Sequence, residues 1–169
     1  DDYITRQYAK MRRFAEQTRE DEPAVTFVSQ DWQENYINGM IDTEKSVAWA
    51  TVAAVELDLE YAERARRFLM HHLGFGWSLQ TKILAEASHT IDNFIVYDLT
   101  VKFGIYTDDD LVLIQEHFAS RANSGLSWAE KDPAWEQNQS YWIVGMASIA
   151  ALLLNDADYI EWAFEEYRR

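Results

Sequence analysis

The sequence WEQNQSYW at positions 135–142 is followed at once by the largely apolar segment IVGMASIAALLL at positions 143–154. The apolar segment is typical of a buried helix, and residues 137–142, which we call the amide block, put three amides and two aromatic rings around its first turn. Amides at a helix start can point into a cleft, where backbone N–H groups and the positive end of the helix dipole favour an anion. The amide block therefore predicts a place to hold a carboxylate.

Turn and cap signals divide the rest of the chain into helices. Asp42-Thr43-Glu44 predicts the start of one helix, Gly104 the end of another, and Thr107 with the aspartates at 108–110 the start of the next. Asn123-Ser124-Gly125 predicts the end of that helix. The predicted helices cover about residues 3–20, 42–57, 59–72, 78–103, 107–123, the apolar segment after the amide block and 158 onward, with a Trp-rich loop from 126 to 135.

Largely apolar helices alternate with amphipathic ones along the chain. The helices around residues 47–55, 85–99 and 143–154 are apolar, whereas those that begin near residues 59, 107 and 158 have charged outer faces. An inner helix followed by an outer helix, repeated, is typical of α/α toroids and α-solenoids, and no fixed-period repeat favours a TPR or ankyrin array. We therefore predict an all-α fold, in which residues 1–169 form a single domain and an incomplete α/α toroid of about six to eight antiparallel helices.

Composition and charge exclude several classes of protein. The chain has 169 residues, of which 48% are hydrophobic, enough to bury a core. Its net charge of −14 argues against nucleic acid or an anionic membrane surface as a partner, and no apolar run reaches the length of a membrane span. The absence of cysteine excludes disulfides and thiolate chemistry. Because the helical pattern already runs at Asp1 and still runs at Arg169, we expect a piece of a larger chain.

Few residues match a pattern of metal binding or catalysis. Glu86 and His89 form an E-x-x-H pair, but a di-iron bundle needs that motif twice and there is no second copy, so a packed histidine is favoured and neither a metal nor another cofactor is predicted. Serine-nucleophile, P-loop and dinucleotide motifs are absent. The 29 acidic residues offer too many carboxylate pairs to single out a glycosidase pair, although Asp92 and Asp98 are candidates.

Three tryptophans, Trp77, Trp128 and Trp135, fall in predicted loops at helix starts, whereas Trp49 and Trp162 fit a helical core. Aromatic rings exposed in clefts stack on the apolar faces of sugars, while the sugar hydroxyls bond to amides and carboxylates. The alternative is that the loop tryptophans close the ends of helix hairpins. Both interpretations stay open for each of the three.

The chain from about Gly76 to Arg169 resembles the alginate lyase and heparinase II/III type polysaccharide lyases. In those proteins the segment reads roughly N-N-H-x-Y-W, then an alanine-rich helix, a short Asn/Asp turn and a helix ending in W-A. Here QNQSYW is followed by residues 143–154, by Asn155-Asp156 and by YIEWA at 159–163. Three upstream stretches are similar to a hairpin of the same family: LAEA at 84–87, YDL at 97–99 and TDDD at 107–110.

The resemblance implies an α/α toroid and β-elimination on uronate-containing polysaccharides. In that chemistry Asn, Gln or His side chains neutralise the uronate carboxylate and a Tyr or His base removes the C5 proton. Carried over by position, Asn138 is the carboxylate neutraliser, and Gln139 stands where the family has His, so it can donate a hydrogen bond but cannot act as a general base. The family's catalytic Tyr falls downstream of residue 169. The predicted substrate-binding residues around this pair are Gln137, Tyr141, Trp142, Trp77, Trp128 and Trp135.

The leading hypothesis is a periplasmic or secreted polysaccharide lyase that cleaves an acidic polysaccharide or oligosaccharide, with the remainder of its own chain as a further partner. Two other classes stay open. One is a non-catalytic carbohydrate-binding or scaffolding helical domain. The other is an α/α-barrel glycoside hydrolase that acts through a pair of acids, such as Asp92 or Asp98 with a partner.

Overall fold

The computed structural model describes residues 2–25, 31–74, 83–131 and 138–155, together with 157, 158, 160, 161 and 165. Of residues 32, 83–86, 126–131 and 138–141 it describes the backbone alone. This part of the chain is largely helical and contains no strand, which confirms the all-α prediction. Its helices are α1 (Asp2–Gln17), α2 (Trp32–Glu56), α3 (Leu59–Gly74), α4 (Ile83–Thr100), α5 (Asp108–Lys131) and α6 (Asn138–Leu154), with a 3₁₀ turn at Val101–Phe103 after α4.

The predicted start of α2 at Asp42 is wrong, because the helix begins ten residues earlier. Asp31 is the true N-cap: its backbone is extended and its carboxylate accepts a hydrogen bond from the Gln33 N–H at 2.8 Å. Asp42 instead lies buried inside α2, where its carboxylate accepts the backbone N–H groups of Ala24 at 2.7 Å and Val25 at 3.0 Å. Asp42 therefore anchors the segment that connects α1 to α2, and it does not cap α2.

The turn between α4 and α5 is as predicted. Gly104 ends the 3₁₀ turn with a φ of 65°, a left-handed conformation that glycine adopts without strain. Thr107 caps α5 reciprocally: the Asp110 N–H donates to the Thr107 hydroxyl, and the Thr107 N–H donates to the Asp110 carboxylate. The aspartates at 108–110 lie in the first turn, where the helix dipole favours negative charge.

The predicted end of α5 near Gly125 is also wrong, because the helix continues to Lys131. Gly125 faces α6, and a Cβ atom built on it would come within 2.8 Å of the Cβ of Ala147. The glycine therefore allows α5 and α6 to approach closely instead of ending α5. As a result, Trp128 belongs to a helix and not to a loop.

The three apolar helices α2, α4 and α6 pack in a row and run in the same direction. Near the starts of α2 and α4, Gly39 lies against His89. Near their ends, Lys102, just after α4, donates to the carbonyl of Ala54 of α2 at 3.4 Å. Between α4 and α6, residues near both helix starts share one buried cluster, and residues further along both belong to the main core. The start cluster is Ala87, Ile143 and Met146, and the later residues are Val96 and Ala150.

The amphipathic helices α3 and α5 lie behind this row and run against it. α3 packs on α2 and α4 and also contacts α5, and α5 packs on α6. The core between the two rows centres on Trp49, which is fully buried, as its sequence context predicts. Its ring meets Phe68 of α3 edge-on at 4.6 Å, and its indole N–H donates to the Ala15 carbonyl at 3.0 Å.

Helix α1 is fastened to α2 and α3 largely by charged and phenolic side chains. Arg12 donates to Glu56 at 3.0 Å, the Tyr61 hydroxyl donates to Glu16 at 2.6 Å, and Arg19 pairs with Glu60. These groups are partly or fully exposed, so each pair contributes little alone. None of the helices in the described part of the chain is long and apolar enough to cross a membrane.

Candidate functional site

The amide block opens α6, which agrees with its predicted position at a helix start. The backbone of Asn138, Gln139 and Tyr141 forms the first turn, while their side chains lie outside the description. Of the amide block and the three loop tryptophans, Trp142 is the one residue whose side chain is described, and 45% of its surface is exposed. Gln137, Trp77 and Trp135 lie outside the described residues, and of Trp128 the helical backbone alone is described.

A cleft of about 700 Å³ lies between α1, α2 and α4. Helix α1 contributes Lys10, Met11 and Phe14 to its lining. Helix α2 contributes Met40, which is 47% exposed, and the exposed carboxylate of Glu44. The lining therefore combines apolar walls with a few charged groups, as small-molecule sites commonly do.

Asp92 of α4 completes the lining of this cleft. It is partly buried and accepts a hydrogen bond from the hydroxyl of Thr43, an almost completely buried residue of α2. Burial raises the pKa of Asp92 above its ordinary value, although the Thr43 hydrogen bond opposes the shift. Asp98, the other acid singled out from the sequence, is exposed two turns further along α4. The structure thus separates the two candidates and brings Asp92 alone into the cleft with Glu44.

A second polar cluster is buried among α2, α3, α4 and α5. His89 is 3% exposed, and its ring lies 5.4 Å from the ring of His72 and 5.6 Å from that of Tyr36, edge-on in both cases. Gly39 makes room for it, since a Cβ there would lie 2.7 Å from the imidazole. His72 in turn meets the side-chain amide of Asn93 at 3.2–3.3 Å. His89 is therefore packed between two rings and the backbone of α2, while Glu86, the other half of the E-x-x-H pair, is described by its backbone alone.

Burial keeps these histidines neutral at pH 7. It lowers the pKa of His89 to about 4, and it lowers the pKa of His72 well below its ordinary value, with His89 adding to the effect. The Nε2 atom of His117 is buried without a hydrogen-bond partner among the described residues, and burial together with Arg121 lowers the pKa of His117 to about 3. Within the described residues no three histidine or carboxylate side chains are arranged to hold a metal ion.

The cleft as a whole was not predicted from the sequence, although two features of the sequence are consistent with it. Positions 7, 10, 11 and 14 follow the spacing of one helix face, and that face mixes Lys10 with Met11 and Phe14. Asp92 is an acid in a largely apolar helix, where a charged side chain needs a polar or open environment. What the sequence does not contain is the pairing of α1 with α2 and α4, which alone brings these positions together.

Comparison with known proteins gives no match for this chain: no family model, no curated protein and no solved structure is similar to it.

Proposed function

We propose that the chain is an arc of an α/α toroid of the polysaccharide-lyase type, acting on a uronate-containing glycan by β-elimination. The observation that carries the proposal is the row of parallel apolar helices α2, α4 and α6, backed by the antiparallel amphipathic helices α3 and α5. Repeating an inner and an outer helix in this way curves naturally into a ring with all inner helices parallel. We further propose that the partner is an acidic polysaccharide and that the protein is periplasmic or secreted.

The parallel row gives the start of α6 a chemical setting that suits an anion. Because α2, α4 and α6 run in the same direction, the positive ends of their dipoles lie at one end of the row. In the proposed reaction, Asn138 and Gln139 in the first turn of α6 donate to the uronate carboxylate and stabilise the enolate-like intermediate. The proposed base is a tyrosine outside the amide block, since an amide cannot take the C5 proton.

The test is binding and cleavage of uronate oligomers by the chain. We expect alginate, heparan sulfate or hyaluronan fragments to bind, and cleavage to yield an unsaturated uronate that absorbs in the ultraviolet. Asn138→Ala and Gln139→Ala each remove one charge-assisted hydrogen bond, so affinity should fall about tenfold or more. Gln115→Ala, an exposed amide on α5, is the matched control. Equal binding by all three variants, or no binding and no absorbance with any uronate, would overturn the proposal.

A second candidate function, an α/α-barrel glycoside hydrolase, is favoured by one observation. Asp92 and Glu44 line the same cleft, and a partly buried carboxyl with a raised pKa is suited to be a general acid. Hydrolysis releases reducing ends without ultraviolet absorbance, and Asp92→Asn should abolish it. A non-catalytic carbohydrate-binding domain would instead change its Trp fluorescence on binding and release no product.

A further inference from the structure

We propose that the cleft between α1, α2 and α4 is a binding site for an organic ammonium ion: a ring-sized body that carries one protonated amine. Asp92 and Glu44 hold the ammonium group, and Phe14 with the methionines Met11 and Met40 packs against the ring. This site is separate from the amide block of α6 and does not depend on the function proposed for it. A free aromatic amine and an amino-sugar unit of a glycan share this chemistry.

The charges of the lining select a cation. Two of its side chains are acidic, Asp92 and Glu44, and one is basic, Lys10, which stands exposed on the α1 side. The whole chain carries a net charge of −14, which adds a long-range attraction for cations. A uronate or another carboxylate ligand would meet like charge here, whereas an ammonium ion would meet opposite charge.

The environment of Asp92 supplies the second argument. A carboxylate can accept about four hydrogen bonds, and Asp92 shares the one hydroxyl proton of Thr43 with the Met40 carbonyl, which lies 3.2 Å from that hydroxyl. Burying a carboxylate without a cation is unfavourable, and the raised pKa of Asp92 reflects this cost. An ammonium group brings three N–H donors and a positive charge to the open side of the carboxylate, so its binding relieves the cost.

The shape and the apolar walls set the size of the ligand. A cleft of about 700 Å³ open to solvent holds a single ring with its substituent comfortably. Phe14 is partly buried and Met40 is 47% exposed, so both keep free surface that a ring can cover. Methionine side chains adapt to irregular ligands and make favourable contacts with aromatic rings.

The experiment uses three probes of matched shape: 2-phenylethylamine, 2-phenylethanol and 3-phenylpropionate. The chain contains four methionines, of which Met11 and Met40 line the cleft while Met70 and Met146 do not. In a spectrum of the protein with ¹³C-labelled methionine methyl groups, the amine should shift the signals of Met11 and Met40 alone. The alcohol should bind more weakly and the carboxylate least. Glucosamine, glucose and glucuronate form a parallel series that tells an amino sugar from a free aromatic amine.

Variants of the lining should change the affinity in opposite directions. Asp92→Asn and Glu44→Gln should each weaken amine binding, by about tenfold for the buried acid and less for the exposed one. Lys10→Gln should strengthen binding about two- to threefold, since it removes an exposed like charge. Asp98→Asn, an exposed acid of α4 outside the cleft, is the control. Glu44→Gln stays informative if Asp92→Asn fails to fold.

The proposal is overturned if the alcohol or the carboxylate binds as well as the amine, if the shifted methyl groups are those of Met70 or Met146, or if Lys10→Gln weakens amine binding. It is equally overturned if none of the six probes shifts the Met11 and Met40 signals at tens of millimolar. Binding of glucosamine without the aromatic amine would assign the site to an amino sugar. None of these outcomes decides the function proposed for the amide block, because that test uses uronates and different residues.

Discussion

Acid should destabilise this fold well above the pH at which carboxylates are protonated. His89 is buried beside His72 and Tyr36, and burial lowers its pKa to about 4, whereas an unfolded histidine titrates near about 6.5. The unfolded chain therefore takes up a proton as the pH falls through about 6.5, while the folded chain does not until about pH 4. The stability that comes from neutral His89 is fully present above about pH 6.5 and is lost as the pH falls below it.

The size of the effect follows from the two pKa values. Between pH 7 and pH 5 the unfolded state gains about 2 kcal/mol over the folded state from His89 alone. The pKa of His117, lowered to about 3, adds a similar amount, so the two together remove about 4 kcal/mol. His72 acts in the same direction, because its pKa is also lowered by burial. Such a loss is a large part of the stability of a domain of this size.

The measurement is urea unfolding at pH 7, 6 and 5 for the chain and for His89→Gln. Whatever the stability of the variant at pH 7, it lacks the titrating imidazole, so its loss between pH 7 and pH 5 should be smaller by about 2 kcal/mol. Comparing pH slopes, and not absolute stabilities, separates the titration from the cost of repacking the core. A decline below about 1 kcal/mol in the parent chain, or equal slopes for both proteins, would refute the reasoning.

Two further predictions concern the helices themselves. Gly125→Ala should lower the free energy of unfolding by about 1–3 kcal/mol, because the added methyl meets α6. A methyl group added at Gly74 meets no atom of the described residues within 4 Å, so Gly74→Ala should cost less than Gly125→Ala, and thermal unfolding of the two variants measures the difference. Asp110→Asn should cost about 1–2 kcal/mol because the charged cap of α5 and its pair with Arg66 are lost, while the exposed Asp109→Asn should cost less than half as much by urea unfolding.

Local signals in the sequence predicted the helices and most of their ends. Thr107 and Gly104 act as cap and stop because both effects are confined to one turn of backbone. The prediction at Gly125 is wrong because a glycine can either end a helix or allow a neighbouring helix to approach, and the sequence does not distinguish the two. The prediction at Asp42 is wrong for a similar reason: its carboxylate does accept backbone N–H groups, but they belong to residues 24 and 25 and not to the start of its own helix.

The candidate site was less accessible from the sequence than the fold. In the sequence Asp92 is one acid among many, and it differs from Asp98 only in the structure, where Asp92 lines the cleft and Asp98 is exposed. The partners that give Asp92 its character, Thr43 and Glu44, come from α2, and the opposite wall comes from α1. Such a constellation depends on the packing of helices distant in sequence, which helical periodicity alone does not encode.

The parallel row of α2, α4 and α6 has a consequence for the order in which the chain folds. Neighbours in an antiparallel hairpin meet across a short turn, but neighbours in this row meet only after a complete hairpin lies between them: Gly39 reaches His89 across 50 residues. The loop-closure entropy of each such contact must be met before its packing stabilises the chain. We therefore expect the α2–α3 hairpin around Trp49 and Phe68 to form early. The packing of α2 on α4 at His89 should form late, and it should be the slow step in folding, because most other helix contacts are between neighbours in the chain.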